Sequence, residues 1–108
     1  HIMNKAMKDN KIIAQFMQLQ TANSTFNVTV YLHNTVWYEE EELSYEVSWD
    51  WLMPVIKYCY QSTTAIVVGD ITHGLLDCDI KSTHKAVVEF IKEYKLWNIK
   101  KKIYCYNV

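Results

Sequence analysis

The chain of 108 residues has only two glycines, one proline and three cysteines. So little glycine and proline is not typical of a loop-rich or repeat architecture, and two glycines are too few for either glycine-rich phosphate-binding fingerprint. An odd number of cysteines without framework spacing argues against a disulfide scaffold and favours a reducing compartment. We therefore expect a cytoplasmic protein.

Charge and hydropathy exclude further classes of protein. The formal net charge of −1 gives no overall field that would attract nucleic acid or an anionic membrane surface. No apolar run approaches the ~20 residues of a membrane-spanning helix, so we expect no membrane contact. Half of the residues are hydrophobic, which predicts a folded domain with one core over residues 1–108. His1 and Ile2 are interpreted as vector-derived residues ahead of a natural start at Met3.

The most informative segment is 48–56, which holds two of the four tryptophans and the only proline. Ser48 or Asp50 is predicted to cap a helix by accepting a hydrogen bond from a first-turn N–H group. Pro54 costs little if that helix begins near Trp51, and more if it begins at Trp49. Helical spacing predicts one core-facing stripe formed by Trp51, Leu52, Val55, Ile56 and Cys59.

Hydrophobic periodicity along the whole chain predicts a small α+β domain. We expect an antiparallel sheet of about five strands, with about three helices covering one face. The predicted elements are a helix ending at Leu19, strands over 26–33, 36–38 and 43–47, the tryptophan-rich helix ending near Gln61, strands over 65–68 and 75–80, and a last helix capped by Ser82 or Thr83. Residues 98–108 are predicted to be a loosely attached tail or an edge strand. The four acids of 39–42 repel one another and predict a loop or hairpin tip.

Three segments resemble, in order, the landmarks of a family of small proteins common in phage genomes and in bacterial genomes rich in prophage. The segments are Ile13–Met17, Ser48–Val55 and Val88–Lys92, and the resemblance spans most of the chain. The SWDWLMPV block of the second segment is its specific part. The resemblance implies a phage or mobile-element origin and a location in the host cell, but it implies no chemistry. After Val55 the chain departs from the family pattern, and the acidic run and lysine-rich tail are particular to this chain.

The leading functional hypothesis comes from an excess of aromatic residues. Four tryptophans and eight tyrosines exceed what a small core needs. Large amphipathic rings beside an acidic rim are typical of protein interfaces. We therefore expect a non-enzymatic interaction module that binds a host or phage protein, for example an inhibitor of a defence system such as a CRISPR effector. Homodimerisation through the same patch stays open. The candidate partner-binding residues are Trp37, Tyr38, Glu39, Glu40, Glu41, Glu42, Trp49 and Asp50.

Two alternatives from other functional classes remain. Lys100, Lys101 and Lys102, followed by Tyr104 and Tyr106, offer cations for phosphate and rings for stacking, which would suit a nucleic-acid accessory protein. The competing interpretation of this tail is a solvated helix end.

The second alternative is a small enzyme or ligand-sequestering protein with an acid–base site near Asp70 and His73. No nucleophile or oxyanion hole accompanies this pair. The segment 69–79 lacks paired CxxC or HxxxH spacing, so we expect neither a metal nor a cofactor.

Overall fold

The computed structural model describes residues 5–62 and 68–106, with side chains over 8–62 and 68–99. In this part of the chain the fold is α+β, with four helices and one antiparallel sheet of three strands. The fold class is therefore as predicted, with two strands fewer and one helix more than expected. The elements are helix α1 (Lys5–Phe16), strands β1 (Thr21–Asn23), β2 (Thr29–His33) and β3 (Val36–Glu39), a 3-10 helix (Glu40–Glu42), and helices α2 (Trp49–Ser62), α3 (Gly69–Leu76) and α4 (Ile80–Tyr106).

The sheet is a meander with the strand order β1-β2-β3. Strands β2 and β3 are joined by Asn34 and Thr35, both at positive φ (48° and 70°), as in the hairpin turns that match strand twist. The chain reversal implied by the strands predicted over 26–33 and 36–38 is thus confirmed. The predicted strand over 26–33 begins only at Thr29, because residues 24–28 form the turn that joins β1 to β2.

Two predicted strands are wrong because hydrogen bonding within the local chain forms turns and helix instead. Over 43–47, the N–H groups of Val47 and Ser48 both donate to Ser44 O, at 3.3 and 3.0 Å, which closes a turn. Over 75–80, the chain completes α3, reverses at Cys78 (φ 55°) and enters α4. The strand predicted over 65–68 lies outside the described residues except for Val68, which directly precedes α3.

The start and end of α4 also differ from the prediction. Asp79, rather than Ser82 or Thr83, caps the helix, because its Oδ1 accepts the N–H groups of Lys81 (3.1 Å) and Ser82 (3.3 Å). The helix then continues to Tyr106, so the edge strand proposed within 98–108 is wrong. The inner face of α4 consists of buried and half-buried residues at helical spacing, namely Val87, Phe90, Ile91, Tyr94 and Trp97.

The core-facing stripe predicted for the tryptophan-rich helix is confirmed. Leu52, Val55, Ile56 and Cys59 are buried in the core, and Trp51 is half-buried against it. The helix begins at Trp49, so Pro54 lies in its second turn, where the Asp50 carbonyl has no N–H partner at residue 54. Both residues are exposed, so water can satisfy that carbonyl.

A group of four rings, which we call the aromatic cluster, connects α2 to the sheet. His33, Tyr38, Tyr45 and Trp51 form it. The indole of Trp51 stacks on His33 with a centroid distance of 3.7 Å and an interplanar angle of 6°. The other two rings meet Trp51 edge-on, Tyr38 at 5.1 Å and Tyr45 at 5.4 Å. The cluster therefore fixes the inner face of the sheet against the helices.

Helices α3 and α4 are in close contact at Gly74, where any larger residue would clash with Thr83. A Cβ atom at Gly74 would lie 2.9 Å from the Cα and the N of Thr83 and still closer to its hydroxyl oxygen. Thr83 is fully buried, and its hydroxyl donates to Asp79 O at 2.7 Å. The backbone of α4 therefore touches α3 directly.

Replacement of Trp51 by alanine should lower the free energy of unfolding by about 3 kcal/mol, because it removes the centre of the aromatic cluster. The matched control is Trp37→Ala, which removes a partly exposed ring on the other face of the sheet and should cost less than about 1 kcal/mol. Urea denaturation of both variants measures the difference. Equal losses would contradict the role given to Trp51.

Replacement of Gly74 by alanine should destabilise the protein by about 1–3 kcal/mol, because the added methyl group must push α3 away from Thr83. Leu76→Ala, at a position 77% exposed on the same helix, should change stability by about 0.5 kcal/mol or less. Thermal and urea unfolding of the two variants check this pair. An unchanged midpoint for Gly74→Ala would mean that the close helix contact is absent.

Candidate functional site

The sheet has one face that packs on the protein and one that does not. Tyr31, Tyr38 and His33 share the inner face, where Tyr31 is buried. Because side chains alternate along a strand, the residues between them lie on the opposite face. We call this the outer face; it consists of Ala22, Val30, Leu32, Trp37 and Glu39. Leu32 and Trp37 are directly paired across the strands, and Trp37 is 44% exposed.

The free edge of β3 offers little backbone for another strand to pair with. Leu32 N–H donates to Gln20 O at 2.9 Å, so Leu32 turns its backbone groups away from β3. In an antiparallel pair, hydrogen-bonded and non-hydrogen-bonded residue pairs alternate along the strands. Trp37, which is paired with Leu32, and Glu39, two residues later, therefore direct their backbone N–H and C=O groups to the open edge. The N–H of Glu39 is already bonded to Glu42 Oε1 at 2.8 Å. Such short, capped edges resist strand addition, so this surface offers side chains rather than free backbone groups.

The acidic run directly continues β3. Residues Glu39–Glu42, which we call the acidic turn, include the 3-10 helix rather than a hairpin tip. Glu39, Glu41 and Glu42 are exposed, whereas Glu40 is half-buried. Burial raises the pKa of Glu40, the positive charge of Lys11 lowers it, and the like charge of Glu41 raises it further.

A buried side chain of α1 holds the acidic turn in place. Asn10 is 4% exposed, and its Nδ2 donates to Glu40 O at 3.0 Å and to Leu43 O at 2.9 Å. These bonds connect both ends of the 3-10 helix to α1, so the glutamates are carried on a fixed support. A rigid support lowers the entropy lost when a surface binds a partner.

The predicted partner-binding residues do not all lie together on one exposed surface. Trp37 is adjacent to the acidic turn in the chain and on the same side of β3 as Glu39. Tyr38 belongs to the aromatic cluster, and Trp49 packs against the core, so both rings serve packing. Asp50 is exposed in the first turn of α2. Among the three predicted aromatic residues, Trp37 alone has the exposure of a surface ring.

Sequence reasoning missed exposed apolar residues in the turn between β1 and β2. Phe26 is 88% exposed and Val28 is 39% exposed. The turn is well ordered by Ser24, whose N–H donates to Val28 O at 2.8 Å. Because Val30 pairs with Glu39, this turn lies at the same end of the sheet as the acidic turn. The sequence feature that could have indicated this exposure is Asn27, a residue type favoured in turns, directly after Phe26. In the structure Asn27 has the positive φ (62°) of such a turn.

The acid–base pair considered from the sequence lies on α3. Asp70 and His73 line a hollow of about 370 Å³ against α4, and both are exposed. Ser82, the hydroxyl residue of that lining, donates its Oγ proton to Asp79 Oδ2 at 2.8 Å. Among the described residues, no group of three or more His, Cys, Asp or Glu side chains is placed to hold a metal ion. No hydrogen bond between Asp70 and His73 is found among the described residues. Enzymatic activity at this hollow therefore stays a prediction.

The buried cysteine Cys59 provides no further site, and the tail is described only as backbone. Burial raises the pKa of the Cys59 thiol to about 12, which makes it a core thiol rather than a nucleophile. The side chains of Lys100–Lys102, Tyr104 and Tyr106 lie outside the described residues, although the backbone of α4 extends to Tyr106. The nucleic-acid alternative therefore stays a prediction.

Over 5–62 and 68–106, no helix combines the length and the apolar character needed to cross a membrane. No protein-family model, curated protein or solved structure matches the chain. The resemblance to phage-associated proteins therefore stays an expectation from the sequence.

Proposed function

We propose that this protein is an interaction module that binds a basic surface of another protein through the outer face and the acidic turn. Trp37 is the anchor, and Glu39, Glu41 and Glu42 select the partner by charge. The observation that carries the proposal is the 44% exposure of Trp37 on an apolar face next to three exposed glutamates. The fold does not need an exposed indole there, since the inner face holds the sheet in place.

The shape and charge of this surface favour a protein partner. Small ligands bind in concave sites, whereas a three-stranded sheet presents an open face. Nucleic acid is a poor partner at this face, because four consecutive glutamates repel phosphate. Protein interfaces are enriched in aromatic anchors and carry their polar groups at the rim, and an exposed tryptophan beside a charged turn matches this composition.

A defence system of a host cell is a suitable source for the partner. The family resemblance implies a phage origin, and phage proteins gain from blocking host defences. CRISPR effectors hold nucleic acid in positively charged channels. An acidic surface with an aromatic anchor is complementary to such a channel, which supports inhibition of an effector as the biological role.

Truncation of the anchor should mainly speed dissociation. We expect Trp37→Ala to cost about 2 kcal/mol of binding free energy, which is roughly a 30-fold loss of affinity. The partner is first captured from host lysate, and surface plasmon resonance with the purified partner then gives both rate constants. Leu96→Ala, at a position 58% exposed on α4, is the matched control and should leave both rates unchanged. Identical dissociation rates for wild type and Trp37→Ala would refute the proposed anchor.

Neutralisation of the acids should mainly slow association. The triple change Glu39→Gln, Glu41→Gln and Glu42→Gln removes the steering charge, while glutamine at position 42 keeps an Oε1 that can accept the Glu39 N–H bond. We expect a lower association rate constant and a flatter dependence of that rate on salt. Glu93→Gln, at an exposed position on α4, is the control. If charge reversal of Lys100–Lys102 abolished binding while the triple variant bound normally, the tail would be the interface.

A further inference from the structure

A separate cleft lies between α1 and α4 and is not used by the proposed interface. Its volume is about 160 Å³. Asp9 of α1 and Glu46 of the loop before α2 line it on one side. On the other side α4 contributes Lys81, Lys85 and Lys92. We call it the charged cleft.

Asp9 is the least expected residue of this cleft. It is only 8% exposed, and none of the hydrogen bonds found among the described side chains involves its carboxylate. The next residue, Asn10, is bonded to the acidic turn, so the backbone that carries Asp9 is fixed. The Asp9 carboxylate keeps contact with solvent on its open side, where it can bind a cation or a hydrogen-bond donor. The open side of Asp9 faces the charged cleft, which leaves that space for a positively charged group.

The opposite wall has the complementary charge. Spacings of four and seven residues place Lys81, Lys85 and Lys92 along one side of α4, where Glu89 offsets part of their charge. Among the described residues, these lysines form no ion pair with Asp9 or Glu46. Opposite charges therefore face each other across the cleft without direct contact.

We propose that the charged cleft binds a small zwitterion of amino-acid size. The ammonium group of the ligand lies against Asp9 and Glu46, and its carboxylate lies against the lysines of α4. The volume sets the size, because a cavity of about 150 Å³ holds a molecule as large as benzene, whereas drug-sized ligands need roughly 300 Å³ or more. Val88, buried in the lining, supplies an apolar contact for a short side chain.

The test is a titration of the full chain followed by NMR amide shifts. The probes are free L-alanine, L-serine, L-glutamate and L-lysine, each compared with its N-acetyl derivative and its amide. We expect saturable shifts at residues 9, 46 and 85 with at least one free amino acid. Both derivatives should bind at least about tenfold more weakly, because each has lost one of the two charges.

Variants separate binding from folding. Asp9→Asn should weaken binding about tenfold or more, and Lys81→Gln, at an exposed position that cannot disturb the core, should also weaken it. Asp70→Asn and Lys57→Gln, which lie outside the cleft, should bind like wild type. The proposal is overturned if no free amino acid gives saturable shifts up to about 10 mM. It is also overturned if the N-acetyl derivatives bind equally well, or if Asp9→Asn and Lys81→Gln both bind like wild type.

Discussion

The stack of Trp51 on His33 determines how the two parts of this fold meet. At 3.7 Å and 6° the rings are in full contact, and Tyr38 and Tyr45 enclose the indole edge-on. Because His33 and Tyr38 are on neighbouring strands, this contact fixes the direction in which the whole sheet faces. Burial also lowers the pKa of His33, so a neutral imidazole is favoured in the stack.

Once the inner face is fixed, the outer face follows from strand geometry alone. Trp37 is one residue before Tyr38 and therefore projects to the opposite side. The acidic turn is held by a second, independent contact, the pair of hydrogen bonds from Asn10. An apolar face and a charged rim are thus supported by different parts of the protein. A partner would meet a preformed surface, which limits the ordering cost of binding.

The parts of the fold that could be predicted from the sequence are those set by local periodicity. The inner faces of α2 and α4 follow from helical spacing, and the hairpin follows from alternation and the Asn34 turn. Alternation also suggested a strand at 43–47, but there Leu43 and Tyr45 reach the core from a turn. Alternation alone does not say which side of a strand is buried when both sides carry apolar residues, as in β2.

The two candidate sites differ in how far each could be predicted from the sequence. Trp37 and the acidic turn are neighbours in sequence, so their association was predictable without a structure. The charged cleft combines residue 9, residue 46 and residues 81–92, which only tertiary packing brings together. A lone Asp9 in the first helix has no sequence pattern that marks it as a cleft residue. What marks Asp9 as a cleft residue is its burial, and the burial of a single polar residue cannot be predicted from composition or residue spacing.

The central claim is that the outer face around Trp37 is where a partner binds. The most direct measurement is photo-crosslinking in host cells, with a photoreactive amino acid placed at Ala22, an exposed outer-face position that leaves Trp37 in place, and, in a parallel sample, at Leu76, which is also exposed. The account predicts one dominant adduct from position 22, with none from position 76, and loss of that adduct when the three exposed glutamates of the acidic turn are changed to glutamine. An adduct formed equally from both positions, or from position 76 alone, would contradict it.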